Sequence, residues 1–398
     1  MPGVNVDTLI RAHVDRGEYM AAADLCRQWR GHFPDSPDAL HESGGVALLV
    51  GDAAGAIGFF RAADAVRPSA STRFHLAYAH LLERDFTAAE AVCRSIASAR
   101  DISPQKLANV QEMLGDIALV RSIAPLPAVT GREGPRDAWE QAAASAMDTL
   151  QPHAGLSVVF FHVGGTLHPF RKVTVDYTGI LLESMRAARA QHPDAAIVLL
   201  TDMITDTSAI AGLARVARCD LDANFLMYSR MRSYRALAMT GKLTGAVLFL
   251  DTDVHLHRPF TPIFTGDFDV GLTYRNEVGQ WHMPVNEGVM LASSGAAPAL
   301  RRFFDATLTL YETLAATPAA HARYGFDVRR WRGGQLSLAK FIDWSTPPLA
   351  PDLRDIAGVR VKFLPCTEYN YTVRKGVDPA ALVGKWALHY KGDVKVAG

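Results

Sequence analysis

Residues 9–104 repeat themselves with a period near 34, and that period limits what the first third of this 398-residue chain can become. The segments RGEYMAA, VGDAAGA and ERDFTAA begin at Arg16, Val50 and Glu83. Gly17 and Gly51 are 34 residues apart, Asp52 and Asp85 are 33 apart, Pro34 and Pro68 are 34 apart, and Pro104 comes 36 later. Small residues Ala22, Ala56 and Ala89 share one place in the unit, and Cys26, Phe60 and Cys93 each follow four residues on. A spacing of four puts each pair on one face of a helix.

A unit of this length, with a Gly- or Asp-centred turn, a small residue where helices cross and a proline near its end, resembles the tetratricopeptide repeat. The resemblance covers about three units, although the Trp and Tyr of the family's best-formed units are missing. It implies a helical solenoid in which each helix pair buries its apolar face by stacking on a neighbour. The concave side of such a solenoid would take a peptide, a partner protein or a second copy of the chain. The alternative is that it only packs on the domain after it.

The stretch SIAPLPAVTGREGP, residues 122–135, holds three prolines and two glycines and reads as a boundary. A helix is expected over 136–150, and QPHAG breaks the chain again. The expected division is a repeat domain over 1–121, a linker with one helix over 122–154, and a second domain over 155–398. That domain has 398 − 154 = 244 residues, an ordinary size for one α/β domain.

Its first stretch, LSVVFFHVGGT, is a β-rich run ending in Gly164 and Gly165, where backbone could approach a ligand closely. His162 would then lie beside a bound nucleotide, the alternative being a packed core histidine. A helix over 173–193 and the strand AAIVLLTD come next, an order that predicts a right-handed parallel crossover. The next helix, 228–243, carries Arg230, Arg232 and Arg235; they either face the nucleotide or form a solvated basic face.

AVLFLDTD then delivers Asp251, Thr252 and Asp253 from five apolar residues, too few for a helix and right for a buried strand. Open α/β sheets place their ligand chemistry at the carboxyl ends of such strands. Carboxylates at i and i+2 could share one hard cation such as Mg²⁺ or Mn²⁺, which would neutralise phosphate charge that carboxylates alone repel. Downstream, the polar triplet Asn286, Glu287 and Gly288 precedes an apolar strand over 289–292. Gln335 falls just inside a helix start, and His389, Gly392 and Lys395 crowd the end of the chain.

In that order the motifs resemble those of the GT-A-fold glycosyltransferases, most closely glycosyltransferase family eight, across residues 157–395. The matching segments are VLFLDTD, NEGVML, Gly334 with Gln335, and HYKGDVK, which has Tyr390 where the family has Phe. The resemblance implies a Rossmann-like domain with a mixed, mostly parallel sheet, and a metal-dependent, retaining transfer of sugar from a nucleotide-sugar, a UDP-sugar first among donors. It implies that Asp251, Asp253 and His389 hold Mn²⁺ or Mg²⁺ and that Lys395 meets the diphosphate, with Gly392 letting backbone approach it. It places Asn286 and Gln335 near the donor sugar and the reacting carbon. Two positions depart from the family: Gly334 replaces an Asp, and Glu287 stands where a small residue is usual. Glu287 becomes an acceptor contact, a base if the chemistry is inverting, or a structural ion pair.

Composition trims the alternatives. With 41 basic and 41 acidic residues the chain is neutral, which argues against nucleic-acid binding. No apolar run reaches the roughly 18 residues of a spanning helix, and the first residues lack the pattern of a signal peptide. Cys26, Cys93, Cys219 and Cys366 are too scattered for a disulfide framework, which fits a reducing cytoplasm. Two other readings remain: a repeat-based scaffold carrying a silent transferase domain, and a sugar nucleotidyltransferase, for which FHVGGTLHPFRK is a faint phosphate loop.

Overall fold

The structure, a computed structural model, describes residues 5–99, 102–123, 132, 134–164, 176–275, 281–344 and 352–391. Gly165, Gly392, Lys395 and most of the proline-rich boundary lie outside them. The chain forms two compact units: Met1–Ala124 with Asn276–Pro284 and Trp344–Ala350, and Pro125–Arg275 with Val285–Asp343 and Pro351–Gly398.

Among the described residues the first unit contains seven helices: α1 (Val6–Asp15), α2 (Tyr19–His32), α3 (Pro37–Leu49), α4 (Ala53–Val66), α5 (Ala70–Leu82), α6 (Phe86–Ala97) and α7 (Pro104–Ser122). The sequence period reappears as three equivalent turns. Gly17, Gly51 and Arg84 hold φ of +77°, +81° and +61° at the ends of α1, α3 and α5. At each turn the next residue, Glu18, Asp52 or Asp85, donates its amide to the carbonyl of His13, Ala47 or His80. Glycine is the cheap residue for this left-handed cap, so Arg84 is strained where its two counterparts are not. Asp52 and Asp85 then accept from the amides of Gly55 and Ala88, while Ser36, Ser69 and Ser103 cap the alternate helices. Ala22, Ala56 and Ala89 are fully buried, as the crossing places require, and Cys26, Phe60 and Cys93 sit beside them in the core. A Cβ on Gly44 would come within 2.6 Å of the Phe60 ring, so that crossing closes only on glycine.

Two segments remote in sequence belong to the same unit. Trp281 lies 6.4 Å from Phe86, ring to ring, His282 is 3.3 Å from Asp116, and Trp344 donates its indole N–H to the His282 carbonyl.

The second unit opens with α8 (Ala138–Met147), which belongs to its core rather than to a linker. Glu140 on α8 is fully buried against the equally buried Arg235. Strands β1 (Ser157–Phe161), β2 (Ala196–Thr201), β3 (Arg215–Arg218) and β4 (Val247–Leu250) come next, with α9 (Tyr177–Gln191) between the first two and α10 (Leu226–Met239) before the last. Then come β5 (Val254–Leu256), β6 (Val270–Tyr274), β7 (Val285–Ala292), α11 (Ala297–Ala316), α12 (Pro318–Tyr324) and α13 (Gly333–Phe341). The last elements are β8 (Asp352–Ile356), β9 (Val359–Pro365), the short α14 (Cys366–Tyr369), β10 (Tyr371–Val373) and β11 (Ala387–Tyr390).

Eight strands form one sheet in the order β3-β2-β1-β4-β7-β6-β9-β8. Four of its seven pairings are parallel and three antiparallel, the mixed, mostly parallel pattern expected. Its apolar strands are buried on both faces: Val247 and Phe249 join one core, Leu248 and Leu250 the other. This explains an unbroken apolar run where a one-sided strand would alternate. The order reverses between β1 and β4, so their carboxyl ends flank the crevice where open α/β sheets bind ligands. A second sheet, β10-β11-β5, sets β11 antiparallel to β5, the strand just after Asp253.

One element departs from the sequence reading. Asn286, Glu287 and Gly288 lie inside β7, not ahead of it. The β6–β7 register jumps there: Leu272 pairs with Met290 but Thr273 with Asn286. The intervening residues bulge from the ladder, a device that re-aims side chains beside functional sites.

Candidate active site

The turn after β4 and the strand β11 bring three ligand atoms together. One atom each from Asp251, Asp253 and His389 lie within 4.8 Å of one another. The register explains the meeting, for β5 leaves directly from Asp253 and pairs His389 with Val254, while the Tyr390 amide donates to the Asp253 carbonyl. His389 Nε2 is 3.2 Å from Asp253 Oδ1 and 3.8 Å from Asp251 Oδ2.

The imidazole is oriented by a chain of hydrogen bonds. Thr273 donates its hydroxyl to the Asn286 carbonyl (2.8 Å) and accepts from Asn370 Nδ2 (3.0 Å). That turns Asn370 Oδ1 toward His389, whose Nδ1–H donates to it at 2.9 Å. Burial holds the His389 pKa below its ordinary value, against the pull of Asp253. A neutral ring protonated at Nδ1 points the Nε2 lone pair at two carboxylates. Acceptors facing acceptors at 3.2 Å repel unless a cation sits between them.

The residues fit such an ion. Two carboxylates and one neutral imidazole are a set that takes Mn²⁺ or Mg²⁺, and an oriented hydrogen-bond partner on the histidine is usual in metal sites. A Cβ on Gly288 would fall 2.6 Å from His389 Cε1 and 3.1 Å from Asp251 Oδ2. Glycine keeps this cradle clear, and its carbonyl accepts from the Asp251 amide at 2.9 Å.

Arg230 ties the cluster to its neighbours. It is 3% exposed and contacts Asp251 Oδ1 through Nη1 and Glu287 Oε2 through Nη2, both at 2.5 Å. Burial alone would depress the guanidinium, but Glu287 and Asp251 raise it above its ordinary value. Burial likewise pushes the Glu287 carboxyl up while Arg230 opposes it. The solvated-face reading of this helix is therefore incorrect. Arg235 pairs with Glu140, and Arg232 pairs with Asp137 while its guanidinium stacks 4.2 Å from the Trp139 ring. Acids supplied by other segments let these cations enter the interior.

The remaining sequence candidates take different places. Asn286 is buried and accepts from the Gly288 amide at 3.1 Å, so its side chain holds the bulge. Gln335, third residue of α13, accepts from Arg275 Nη2 at 2.9 Å. Thr252 offers its carbonyl to Ser184 at 2.7 Å. His162 follows β1 at the same sheet edge, buried, with no hydrogen-bond partner for Nε2 among the described residues, and burial lowers its pKa. Gly334 lies against the Glu287 carboxylate. Gly392 and Lys395 lie outside the described residues. Arg275 and Asn370 had no sequence signal.

No protein-family model matches the chain, and no curated protein matches it. Among solved structures it is similar to the galactosyltransferase LgtC in complex with donor and acceptor sugar analogs: 16% identity, 60% of this chain, 87% of that chain, TM-score 0.37. The glycosyltransferase GlyE of Streptococcus pneumoniae TIGR4 aligns at 16% identity over 60% of this chain and 55% of that one, with a TM-score of 0.37. A glycosyltransferase involved in glycosylation of the major capsid of PBCV-1 aligns at 14% identity, 59% and 93% coverage, and TM-score 0.35.

Proposed function

We propose that the second unit is a GT-A-type glycosyltransferase that moves a sugar from a nucleotide-sugar, a UDP-sugar first among donors, to a protein or saccharide acceptor. Asp251, Asp253 and His389 would hold Mn²⁺ or Mg²⁺. One observation carries this reading: a neutral imidazole nitrogen aimed at two carboxylates at the sheet's switch point, with glycine keeping the space clear. When bound, the ion would neutralise the donor diphosphate and make it a better leaving group.

The chain's own residues do the rest. Asn370 fixes the His389 ring, and Arg230 holds the Asp251 carboxylate in place. Arg275 occupies the Gln335 oxygen, leaving the amide N–H₂ to meet the donor sugar. His162 and the Thr252 backbone would border the nucleotide, and Gly392 and Lys395 the diphosphate. Glu287 is locked in an ion pair rather than set to take a proton, which supports a retaining outcome over an inverting one. The first unit, read as tetratricopeptide-like repeats, would recognise the acceptor or a second copy of the chain.

Incubation with common UDP-sugars and Mn²⁺ should release UDP, and Mn²⁺ with UDP should raise the melting temperature. Absence of hydrolysis and transfer with every donor, together with unchanged UDP binding by Asp251→Ala, would sink the reading in favour of a scaffold.

A further inference from the structure

A cavity of about 730 Å³ opens in the second unit and contains none of the three candidate metal ligands. It lies on the other side of α10. Tyr228 and Arg232, four residues apart, line it from one helical face, while Arg230 between them points to Asp251 from the opposite one. Its volume falls in the range of small-molecule sites, about 300–1,000 Å³.

The geometry points to this cavity as a second site, for a neutral saccharide. Trp139, Phe225, Tyr228 and Tyr311 line it. The three that carry a polar end have it engaged: Trp139 Nε1 donates to the Asp220 carbonyl (2.5 Å), Tyr228 to Glu312 (2.5 Å) and Tyr311 to the Arg329 carbonyl (2.8 Å). Arg232 stiffens the wall, stacked 4.2 Å from the Trp139 ring and 5.5 Å from the Tyr228 ring. Trp139, Phe225 and Tyr228 are partly exposed and offer flat apolar surface at little entropic cost, whereas Tyr311 is itself buried. The C–H face of a pyranose matches such a surface.

Charge narrows the ligand further. Asp220, Asp222 and Glu312 share the lining with Arg232 and Arg329. A diphosphate would meet three acids, and a polycation would meet two guanidinium groups. An apolar chain would strip water from charged groups, among them Arg232 and Glu312, whose pairing with Asp137 and Arg136 leaves further hydrogen-bonding capacity unused. Sugar hydroxyls donate to carboxylates and accept from guanidinium, so an uncharged polyol satisfies both signs. The site needs neither the metal nor the nucleotide-sugar.

Calorimetry and saturation-transfer NMR with lactose, cellobiose, maltotriose and chitobiose test it on the full chain. At least one should bind, with saturation strongest on ring C–H protons. Trp139→Ala and Ala316→Trp should each weaken it by about tenfold or more, while Asp251→Asn leaves it unchanged. Ala316 is exposed on the cavity rim, so filling there keeps the fold if Trp139→Ala does not. The site is refuted if no saccharide in the panel binds, if Ala316→Trp binds as well as the parent, or if Asp251→Asn abolishes binding.

Discussion

A Cβ on Gly334 would stand 2.6 Å from Oε2 and 2.8 Å from Oε1 of Glu287. The two positions at which the sequence departs from its family resemblance are thus one feature: a carboxylate on β7 fills the space beside α13. Glu287 cannot swing aside cheaply, because Arg230 holds it 2.5 Å away in a buried ion pair. Gly334→Ala should therefore cost about 1–3 kcal/mol, the usual penalty of overpacking. The pair Glu287→Ser with Gly334→Ala should cost less than the sum of the single changes. Urea unfolding of the three variants checks this, and strictly additive costs would contradict it.

Arg230 supports two carboxylates at once, so its loss should be expensive. Removing one member of a buried ion pair costs about 3–5 kcal/mol, because the partner stays buried and charged. Arg230→Met should fall in that range by chemical denaturation. Adding Glu287→Leu should recover part of the loss, since it removes the stranded charge. If the double variant is less stable than Arg230→Met, Glu287 contributes packing rather than charge.

What the sequence revealed depended on locality. β4 was legible because five apolar residues in a row, too few for a helix, read as a buried strand without reference to anything else. The turns at Gly17 and Gly51 were legible because a positive φ calls for glycine; Arg84 fills the third such place and was found only through the period. Arg230 was not legible, because a buried arginine looks like an exposed one until its partners, 21 and 57 residues away, are in place. The Asn286–Gly288 bulge depends on a register jump with β6, which no single strand encodes. The inclusion of Trp281 and Trp344 in the helical unit is equally non-local.

Asn370 reaches the proposed metal ligands through His389, so its removal should show in metal affinity. Loss of such an outer partner typically weakens metal binding 10–100-fold. Asn370→Leu should weaken Mn²⁺ binding by about that much in calorimetry. Asn370→Asp, which keeps an acceptor for the Nδ1 proton, should recover most of it. Equal Mn²⁺ affinity in the parent and Asn370→Leu would mean that the imidazole is held by packing alone.

The first unit should carry its own acid sensitivity. His75 stacks 5.6 Å from Phe60, meets His41 edge-on at 5.1 Å and donates Nδ1–H to the Ser71 carbonyl. Burial, with His41 adding to it, lowers its pKa to about 4. An unfolded histidine titrates near 6.5, so between about pH 6.5 and 4 the unfolded chain binds a proton that the folded one does not. The stability contributed by neutral His75 is then complete above about pH 6.5 and declines as pH falls, by up to about 1.4 kcal/mol per pH unit. Urea midpoints of the parent should drop across this window, while His75→Phe, which keeps an aromatic ring against Phe60, should drop less. Parallel curves for the two proteins would assign the acid sensitivity to other groups.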